Sequence, residues 1–301
     1  MFNKAMSRRN GNTTPRLFLS SSVAIFAVCA TNQATFAQTS HADHHHLMIG
    51  IDNLQTLTSG TYIGLPNPNY NRLSLLFPHQ HDPVESSHFH SIGIYSYTGD
   101  LGNHSIIPTS TNNQIPEARY ELPPLPLFRG TGVFAHKMIS QKTEDHMYSD
   151  LKTKPVAHLL DDISDPYVKA IYNTGGGRWT RLLGENTTIA LELISMTPGL
   201  GVANSSGEDL FDGVGDTYVM GTGDHFTFTP IFYVSKSAPR QTYSGTFKLV
   251  DVSDNPLFGE SGEFTLNFEP VPEPITILGT ATALGFGTLF KRKLLKKNPK
   301  K

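Results

Sequence analysis

Cysteine is almost absent from this chain. Among 301 residues the only one is Cys29, which lies in an N-terminal apolar segment that we predict to be removed. A body without thiols cannot form disulfides, cysteine-ligated zinc fingers or a cysteine nucleophile. Any metal ion must therefore be held by histidine, by carboxylates or by backbone oxygen.

Long apolar runs are also scarce, and the two that exist lie near the ends. Close to the N-terminus, four basic residues precede the run LFLSSSVAIFAVCA, and small residues follow up to Ala37. A basic start, an apolar centre shorter than the ~20 residues of a membrane span and a small-residue exit are typical of a secretory signal peptide. We therefore predict that residues 1–37 are a signal peptide and that the protein is secreted.

The second apolar run, residues 275–290, follows Pro272, Glu273 and Pro274 and precedes seven Lys and Arg residues. A short apolar helix with a basic flank is typical of a single transmembrane helix with a cytoplasmic tail. The order of these parts resembles the PEP-CTERM sorting signal of bacterial surface proteins. The resemblance implies that residues 271–301 are read by an exosortase-type sorting machinery and that the body reaches the cell surface. The alternative is a plain C-terminal membrane anchor.

Removing both ends changes the charge of the protein. The chain has 24 Lys and Arg residues against 26 Asp and Glu, but four basic residues precede residue 38 and seven follow Phe290. The exported body therefore carries 13 basic and 26 acidic residues, a net charge of −13 with neutral histidine. Such a surface attracts cations and repels nucleic acid, so we expect no nucleic acid partner.

Strand patterns dominate the body, which has about 235 residues. Seven segments are rich in β-branched or aromatic residues and bounded by turn formers: HHHLMIGID, NRLSLLF, HSIGIYSYTG, NTTIALELISMT, HFTFTPIFYVS, TYSGTFKLVDV and GEFTLNFEP. One short helix is predicted within KPVAHLLDDISDPYVKAIYNT, and the Pro-rich IPEARYELPPLPLF indicates an extended connector. The sequence thus predicts an all-β fold, an antiparallel β-sandwich of one body or two lobes. Its regions are a His-rich β region (38–130), a mixed connector (131–177) and a β-sandwich region (178–270).

Histidine is concentrated in one part of the chain, where nine of the 13 histidines lie between residues 41 and 104. Two His-x-His pairs, His79/His81 and His88/His90, flank the turn-forming segment DPVESS. Side chains two positions apart on a strand share a face. If the flanking segments pair as an antiparallel hairpin, His81 opposes His88 and His79 opposes His90. All four imidazoles can then reach one ion.

The same hairpin predicts which of its faces is buried. Leu73, Leu75 and Phe77 share the histidine face with Ile92 and Ile94, which makes it the core side. Four buried imidazoles without partners are costly, whereas a bound ion satisfies them. Pro78, which removes a ladder donor and can mark an edge or a bulge, is the weak point of this register. The alternative is a polar hairpin tip without metal.

Other residues are auxiliary candidates. Asp82 and Glu85 can serve as further ligands or as acceptors for ring N–H groups. His44 and His46 share a face if the first strand begins there, and His225 follows Asp224 at a strand entrance. The remaining lone histidines, His158 among them, are interpreted as structural. Neutral imidazole nitrogen suits zinc, copper, nickel and iron.

The body also resembles a known family. The runs HHHLMIGIDNLQTLTSGTYIGLPNPNYNRLSLLF, HFHSIGIYSYTG, GGRWTRLLGENTTIALELIS and YSGTFKLVDVS, with the C-terminal signal, are similar to a cyanobacterial family of surface proteins repressed by the zinc-uptake regulator. The resemblance implies production under zinc shortage and a role in binding or acquiring zinc at the cell surface. It implies no catalytic residues, and of its motifs His88-Phe89-His90 fits a ligand role.

Two further functions remain open. One is a structural or adhesive protein of the envelope or matrix. The single Trp179 is interpreted as a core residue, and a platform for a sugar or partner is the alternative. The other is a metal-dependent hydrolase or oxygenase, because a catalytic zinc needs three protein ligands and one open position. Glu85 is the candidate base of such an enzyme, and the chain contains no H-E-x-x-H motif.

Overall fold

A computed structural model describes residues 46–144 and 147–271 of the chain. The predicted signal peptide, His44, the motif Pro272–Glu273–Pro274 and the predicted span at 275–290 lie outside the described residues. The described residues belong to a single unit rather than to two lobes. Within them, no helix has the length and apolar character needed to cross a membrane.

β-Strands make up most of the regular structure. The described residues form fifteen strands: β1 (Leu47–Ile51), β2 (Leu73–His79), β3 (His88–Gly93), β4 (Ser96–Asp100), β5 (Asn103–Ile107), β6 (Gln114–Ile115), β7 (Leu125–Arg129), β8 (Lys137–Ser140), β9 (Thr153–Pro155), β10 (Thr188–Met196), β11 (Gly201–Ala203), β12 (Thr217–Thr222), β13 (Ile231–Ser235), β14 (Tyr243–Asp251) and β15 (Phe264–Pro270). They also form two short α-helices, α1 (Pro166–Tyr172) and α2 (Thr174–Gly177). All seven predicted strand segments contain a strand.

The strands assemble into two main sheets. The small sheet has the order β3-β2-β1-β9, and the large sheet has the order β11-β13-β8-β7-β15-β14-β10-β12, with β6 beside β15. Nine of the twelve strand pairs among the described residues are antiparallel, and β1–β9, β15–β6 and β15–β7 are parallel. The predicted antiparallel pairing therefore holds for most of the fold but not for these three pairs. All three parallel pairs involve short strands, β6, β7 and β9, that carry no clear period-two pattern.

Both faces of the small sheet are covered. On one face, residues such as Ile49 and Leu75 share a core with Phe247 and Phe268 of the large sheet. On the other face, Met48, Leu76 and Phe89 pack with Val168 and Ile171 of α1 and with Trp179. Trp179 is only 2% exposed, which confirms the core position that the sequence favoured and rules out the alternative of a sugar platform.

The helix α1 begins where the sequence provides a cap. Asp165 accepts hydrogen bonds from the backbone N–H groups of Tyr167 and Val168, and Pro166 occupies the first turn, where it needs no donor. Tyr167 then donates a hydrogen bond of 2.6 Å to Asp82 in the connection between β2 and β3. The helix that covers the small sheet is thus also tied to the histidine hairpin.

The Pro-rich segment between β5 and β8 is more ordered than an extended connector. It contains β6, a 3-10 turn at Ala118–Tyr120 and β7. β6 pairs with β15 at Thr265 and Leu266, which brings residue 117 beneath the end of the histidine hairpin. The residue at this position is Glu117, which contacts His90 of the hairpin.

Candidate metal centre

The two His-x-His pairs lie at the closed end of the β2–β3 hairpin. In the structure His79 opposes His88 and Phe77 opposes His90, so the predicted register is wrong by two residues. A shift of two positions leaves every side chain on its original face, because alternation along a strand has a period of two. The four histidines therefore still share one side of the hairpin.

The reason for the shift lies in the connection. The backbone N–H of His81 donates to Ser87 Oγ at 2.9 Å, and Ser87 Oγ donates to the carbonyl oxygen of His81 at 3.3 Å. Residues Val84–Ser86 form a 3-10 turn. His81 is thus held by a side chain of the loop instead of by a strand partner, and regular pairing ends at His79.

The histidine side is the core side, as predicted. Leu73, Leu75, Phe77 and Ile92 all belong to the core shared by the two sheets. Ile94 does not, because β3 ends at Gly93 and Ile94 is only half-buried. The irregularity in pairing falls between Leu75 and Leu76 rather than at residue 78. β1 pairs only as far as Leu76, so Pro78 has no ladder partner on the β1 side, and on the other side it lies opposite Phe89 of β3.

The histidine rings converge where this apolar face ends. One nitrogen each of His79, His81 and His88 lies within 4.8 Å of the others. The Nε2 atom of His90 lies 3.1 Å from Nε2 of His88, and the ring centroids of His90 and His79 are 4.7 Å apart. Two nitrogens bound to one tetrahedral zinc at 2.0–2.1 Å are separated by about 3.3 Å, close to the His88–His90 distance.

The hydrogen bonds of His88 and His90 define which of their nitrogens carries the proton. His88 Nδ1 lies 2.7 Å from the carbonyl oxygen of Ser86, and His90 Nδ1 lies 2.5 Å from Glu117 Oε1. A carbonyl and an ionised carboxylate can only accept, so both Nδ1 atoms donate. In neutral rings both Nε2 atoms then present lone pairs to each other at 3.1 Å. This contact is repulsive unless a cation lies between them.

Glu117 is the functional residue that the sequence did not indicate. Its carboxylate is fully buried and accepts hydrogen bonds from His90 and Tyr148, while Arg119 forms an ion pair with Oε2 at 2.6 Å. Burial raises the pKa of Glu117, but the hydrogen bonds from His90 and Tyr148 outweigh it and lower this pKa to about 2. The carboxylate therefore stays ionised and orients the His90 ring, the role that outer-sphere carboxylates have at zinc sites.

The backbone around this carboxylate is strained. Tyr148, which donates to Glu117, has a φ of 65° although it is not a glycine. A bulky residue in the left-handed region costs on the order of 1–3 kcal/mol and persists only where its surroundings enforce it. Burial, followed by the bond to Glu117, raises the pKa of the Tyr148 hydroxyl. The phenol therefore remains a donor.

His79 and His81 are also held in the neutral form. Burial, and then the neighbouring rings of His81, His90 and His88, lower the pKa of His79 to about 4. Burial and the rings of His88 and His90 lower the pKa of His81. The Nδ1 atom of His79 is buried without a hydrogen-bond partner among the described residues. A neutral ring with an unpartnered nitrogen is suited to bind a metal ion.

The auxiliary candidates are located elsewhere. His46 is buried with its Nδ1 2.9 Å from Asp150 Oδ2, and it belongs to neither group of potential ligands that the described residues form. His225 lies in the second such group, with His158 and Asp161. Asp82 accepts a hydrogen bond from Tyr167. The carboxylate that is paired with a hairpin histidine is that of Glu117, rather than that of Asp82 or Glu85.

Comparison with known proteins gives no match: no family model, no curated protein and no solved structure is detectably similar to this chain.

Proposed function

We propose that this protein is an exported, cell-surface protein that binds zinc through His79, His81, His88 and His90. The opposed Nε2 atoms of His88 and His90 carry the proposal. Both rings donate through Nδ1 to fixed acceptors, so their facing nitrogens need a cation. A single proton can relieve this one contact, but it leaves His79 Nδ1 without a partner. A metal ion satisfies all of these nitrogens together.

The choice of zinc rests on the ligand type. Zinc accepts imidazole ligands in a closed tetrahedral shell, and the 3.1 Å between the Nε2 atoms of His88 and His90 is close to the spacing of two nitrogens on such an ion. Copper and nickel also accept imidazole, but their divalent ions prefer square-planar arrangements. The resemblance to surface proteins repressed by the zinc-uptake regulator supports the same choice and a role under zinc limitation.

The cellular setting is part of the proposal. We infer a β-sandwich body preceded by a signal peptide at 1–37 and followed by a PEP-CTERM sorting signal with a transmembrane helix at 275–290. Support for the sandwich comes from the core that the two sheets share. Support for export comes from the arrangement of charged and apolar residues at both ends. The acidic body is suited to concentrate cations near the surface.

The test is zinc binding by the full-length, metal-stripped protein in competition with a chromogenic chelator. The double variant His81→Asn/His88→Asn removes two ligands with side chains of similar polarity. We expect its affinity to fall by more than the ~10–100-fold that is typical of losing an outer-sphere partner. The control His104→Asn/His136→Asn changes two exposed histidines outside both groups, and we expect its affinity to equal that of the wild type.

Zinc affinity and ligand exchange at the bound zinc together separate the rival functions. An unchanged affinity in His81→Asn/His88→Asn would leave only an exported β scaffold, consistent with a structural or adhesive role. A metal-dependent enzyme requires an open coordination position, so a bound zinc that exchanges a water for added azide would favour catalysis. A shell of four protein nitrogens without exchangeable water would favour binding or storage.

A further inference from the structure

A second group of ligand-type side chains is formed by His158, Asp161 and His225. One potential ligand atom from each of the three side chains lies within 4.8 Å of the other two. None of these residues belongs to the histidine hairpin, and His158 by itself has the sequence features of a structural histidine. We propose that this group is a second, more exposed site for a divalent transition-metal cation, separate from the hairpin centre.

Two segments distant in sequence build the group. His158 and Asp161 lie in the 3-10 helix Val156–Asp162, in which side chains three residues apart are eclipsed and point the same way. His225 lies in the connection between β12 and β13. An isolated bridge between Thr153 and Phe228 aligns the two segments, and the ring centroids of His158 and His225 are 5.5 Å apart.

The turn that carries His225 is fixed by its neighbour. Asp224 accepts hydrogen bonds from the backbone N–H groups of Leu183 and Gly184 at 2.8 and 3.0 Å. Its carboxylate is therefore used to hold the loop, and the carboxylate that faces the histidines is that of Asp161. The ring of His225 is presented from a tethered turn rather than from a free loop tip.

Hydrogen bonding again indicates which nitrogen is available. His158 Nε2 lies 3.2 Å from the carbonyl oxygen of Phe226 and must donate to it. In a neutral ring, Nδ1 then presents its lone pair to Asp161 Oδ2 at 3.6 Å. A proton on Nδ1 can bridge these two atoms, but it offers nothing to the third group, His225. A divalent cation bridges all three.

The composition and exposure of the group define the type of site. Two imidazoles and one carboxylate suit zinc and other divalent first-row metals, with water in the remaining positions. Asp161 and His225 are exposed, and the side chain of His158 is 16% exposed. A hydrated site at the surface exchanges its ion more readily than the half-buried hairpin centre, so we expect a weaker and faster-exchanging second class of bound zinc.

The experiment is a zinc titration of the full-length, metal-stripped protein against a graded pair of chelators that resolves the two classes. His158→Asn/His225→Asn is expected to lose the weaker class and to keep the tighter one. Asp161→Asn is expected to lower the zinc affinity of the weaker class by at least ~10-fold, the lower end of the loss for an outer-sphere partner. Asp161→Asn changes an exposed residue and serves where the double variant does not fold.

Two matched controls accompany these variants. Asp162→Asn alters the next residue of the same 3-10 helix, and His136→Asn alters an exposed histidine outside the group; both are expected to bind as the wild type does. Histidines of the N-terminal segment are common to all variants, so differences report on the group alone. Retention of the weaker class at unchanged affinity in His158→Asn/His225→Asn and in Asp161→Asn would overturn the proposal.

Failure here is distinguishable from failure of the hairpin centre. The hairpin variant His81→Asn/His88→Asn is expected to lose the tighter class and keep the weaker one. If it instead keeps the tighter class, the proposed function is wrong while the second site stands on its own result. If removing the second group also abolishes the tighter class in a folded protein, the two sites are not separate and the inference of an independent site is overturned.

Discussion

At the scale of single residues, the centre depends on the hydrogen bonds that orient its rings, above all the bond between His90 and the ionised Glu117. The carboxylate fixes the tautomer of His90, and the carbonyl oxygen of Ser86 fixes that of His88. The pairing of His90 with Glu117 has no sequence signature, because Glu117 lies 27 residues away in a Pro-rich segment. The His-x-His pairs themselves are visible in the sequence since their spacing of two matches the strand period.

Replacing Glu117 with Gln tests the role of this carboxylate. The amide has nearly the same shape but no charge, so it holds the His90 N–H less strongly and loses the ion pair with Arg119. We expect zinc affinity to fall by about 10–100-fold, measured by chelator competition. The matched control is Glu260→Gln, which also removes a carboxylate bonded to a tyrosine, Tyr95, and which should leave zinc affinity unchanged. Equal losses in both variants would contradict a specific role for Glu117.

The lowered pKa of His79 predicts how the metal-free protein responds to acid. The unfolded chain binds a proton at His79 near pH 6.5, whereas the folded protein does so only near pH 4. The unfolded state therefore holds more protons between these values, and the free energy of unfolding decreases as the pH falls from 6.5 towards 4.

Urea unfolding at pH 7 and pH 5, with EDTA present, measures this effect. We expect a His79-dependent loss of about 1–2 kcal/mol, less than the full shift would give because the ring is partly solvated. His79→Asn should show a shallower decline than the wild type, and His136→Asn should show the wild-type decline. The same slope in wild type and His79→Asn would show that this ring is not desolvated.

At the scale of elements, the hairpin shows which features of the fold can be read from the sequence. The strand segments and the core-facing side of β2 were predictable because Leu73, Leu75 and Phe77 alternate with period two. The register was not, because it depends on Ser87, whose hydroxyl binds the backbone of His81 and lengthens the connection. β7 was missed because Pro126 within it, and Pro123 and Pro124 before it, obscure the strand pattern.

Ser87→Ala tests whether the connection between β2 and β3 orients His81. The substitution leaves the backbone N–H and carbonyl of His81 without their buried partner, so we expect a loss of about 1 kcal/mol in unfolding free energy. Zinc affinity should fall as well, because His81 is then less well oriented. Ser86→Ala removes an exposed hydroxyl of the same loop, which bonds Pro83, and should change zinc affinity little. A larger loss of affinity in Ser86→Ala than in Ser87→Ala would contradict this account.

At the scale of the whole molecule, the centre lies where an edge strand, a covering helix and a non-local strand meet. β3 is the edge of the small sheet, and α1 is bonded to the hairpin connection through Tyr167 and Asp82. β6, paired with β15, delivers Glu117. Such pairings between distant segments are the part of the architecture that local sequence patterns do not carry. A bound ion would link β2 to β3 directly, and it would link both to Glu117 through the bond of this residue to His90.

Zinc should therefore stabilise the folded protein as a whole. A ligand present at 100 times its dissociation constant adds about 2.7 kcal/mol to the free energy of unfolding. We expect a corresponding rise in Tm on addition of zinc, measured by calorimetry, and loss of most of this rise in His81→Asn/His88→Asn. The control His104→Asn/His136→Asn should keep the full rise. A rise of equal size in both variants would show that zinc stabilises the protein from elsewhere.

The most direct measurement is a crystal structure of the protein with one equivalent of zinc, with anomalous diffraction recorded at the zinc edge. We expect one strong anomalous peak about 2.0–2.1 Å from a nitrogen of each of His79, His81, His88 and His90. Glu117 should remain bonded to Nδ1 of His90. A peak located away from these rings, or rings that point apart with no peak between them, would contradict zinc binding by the four histidines.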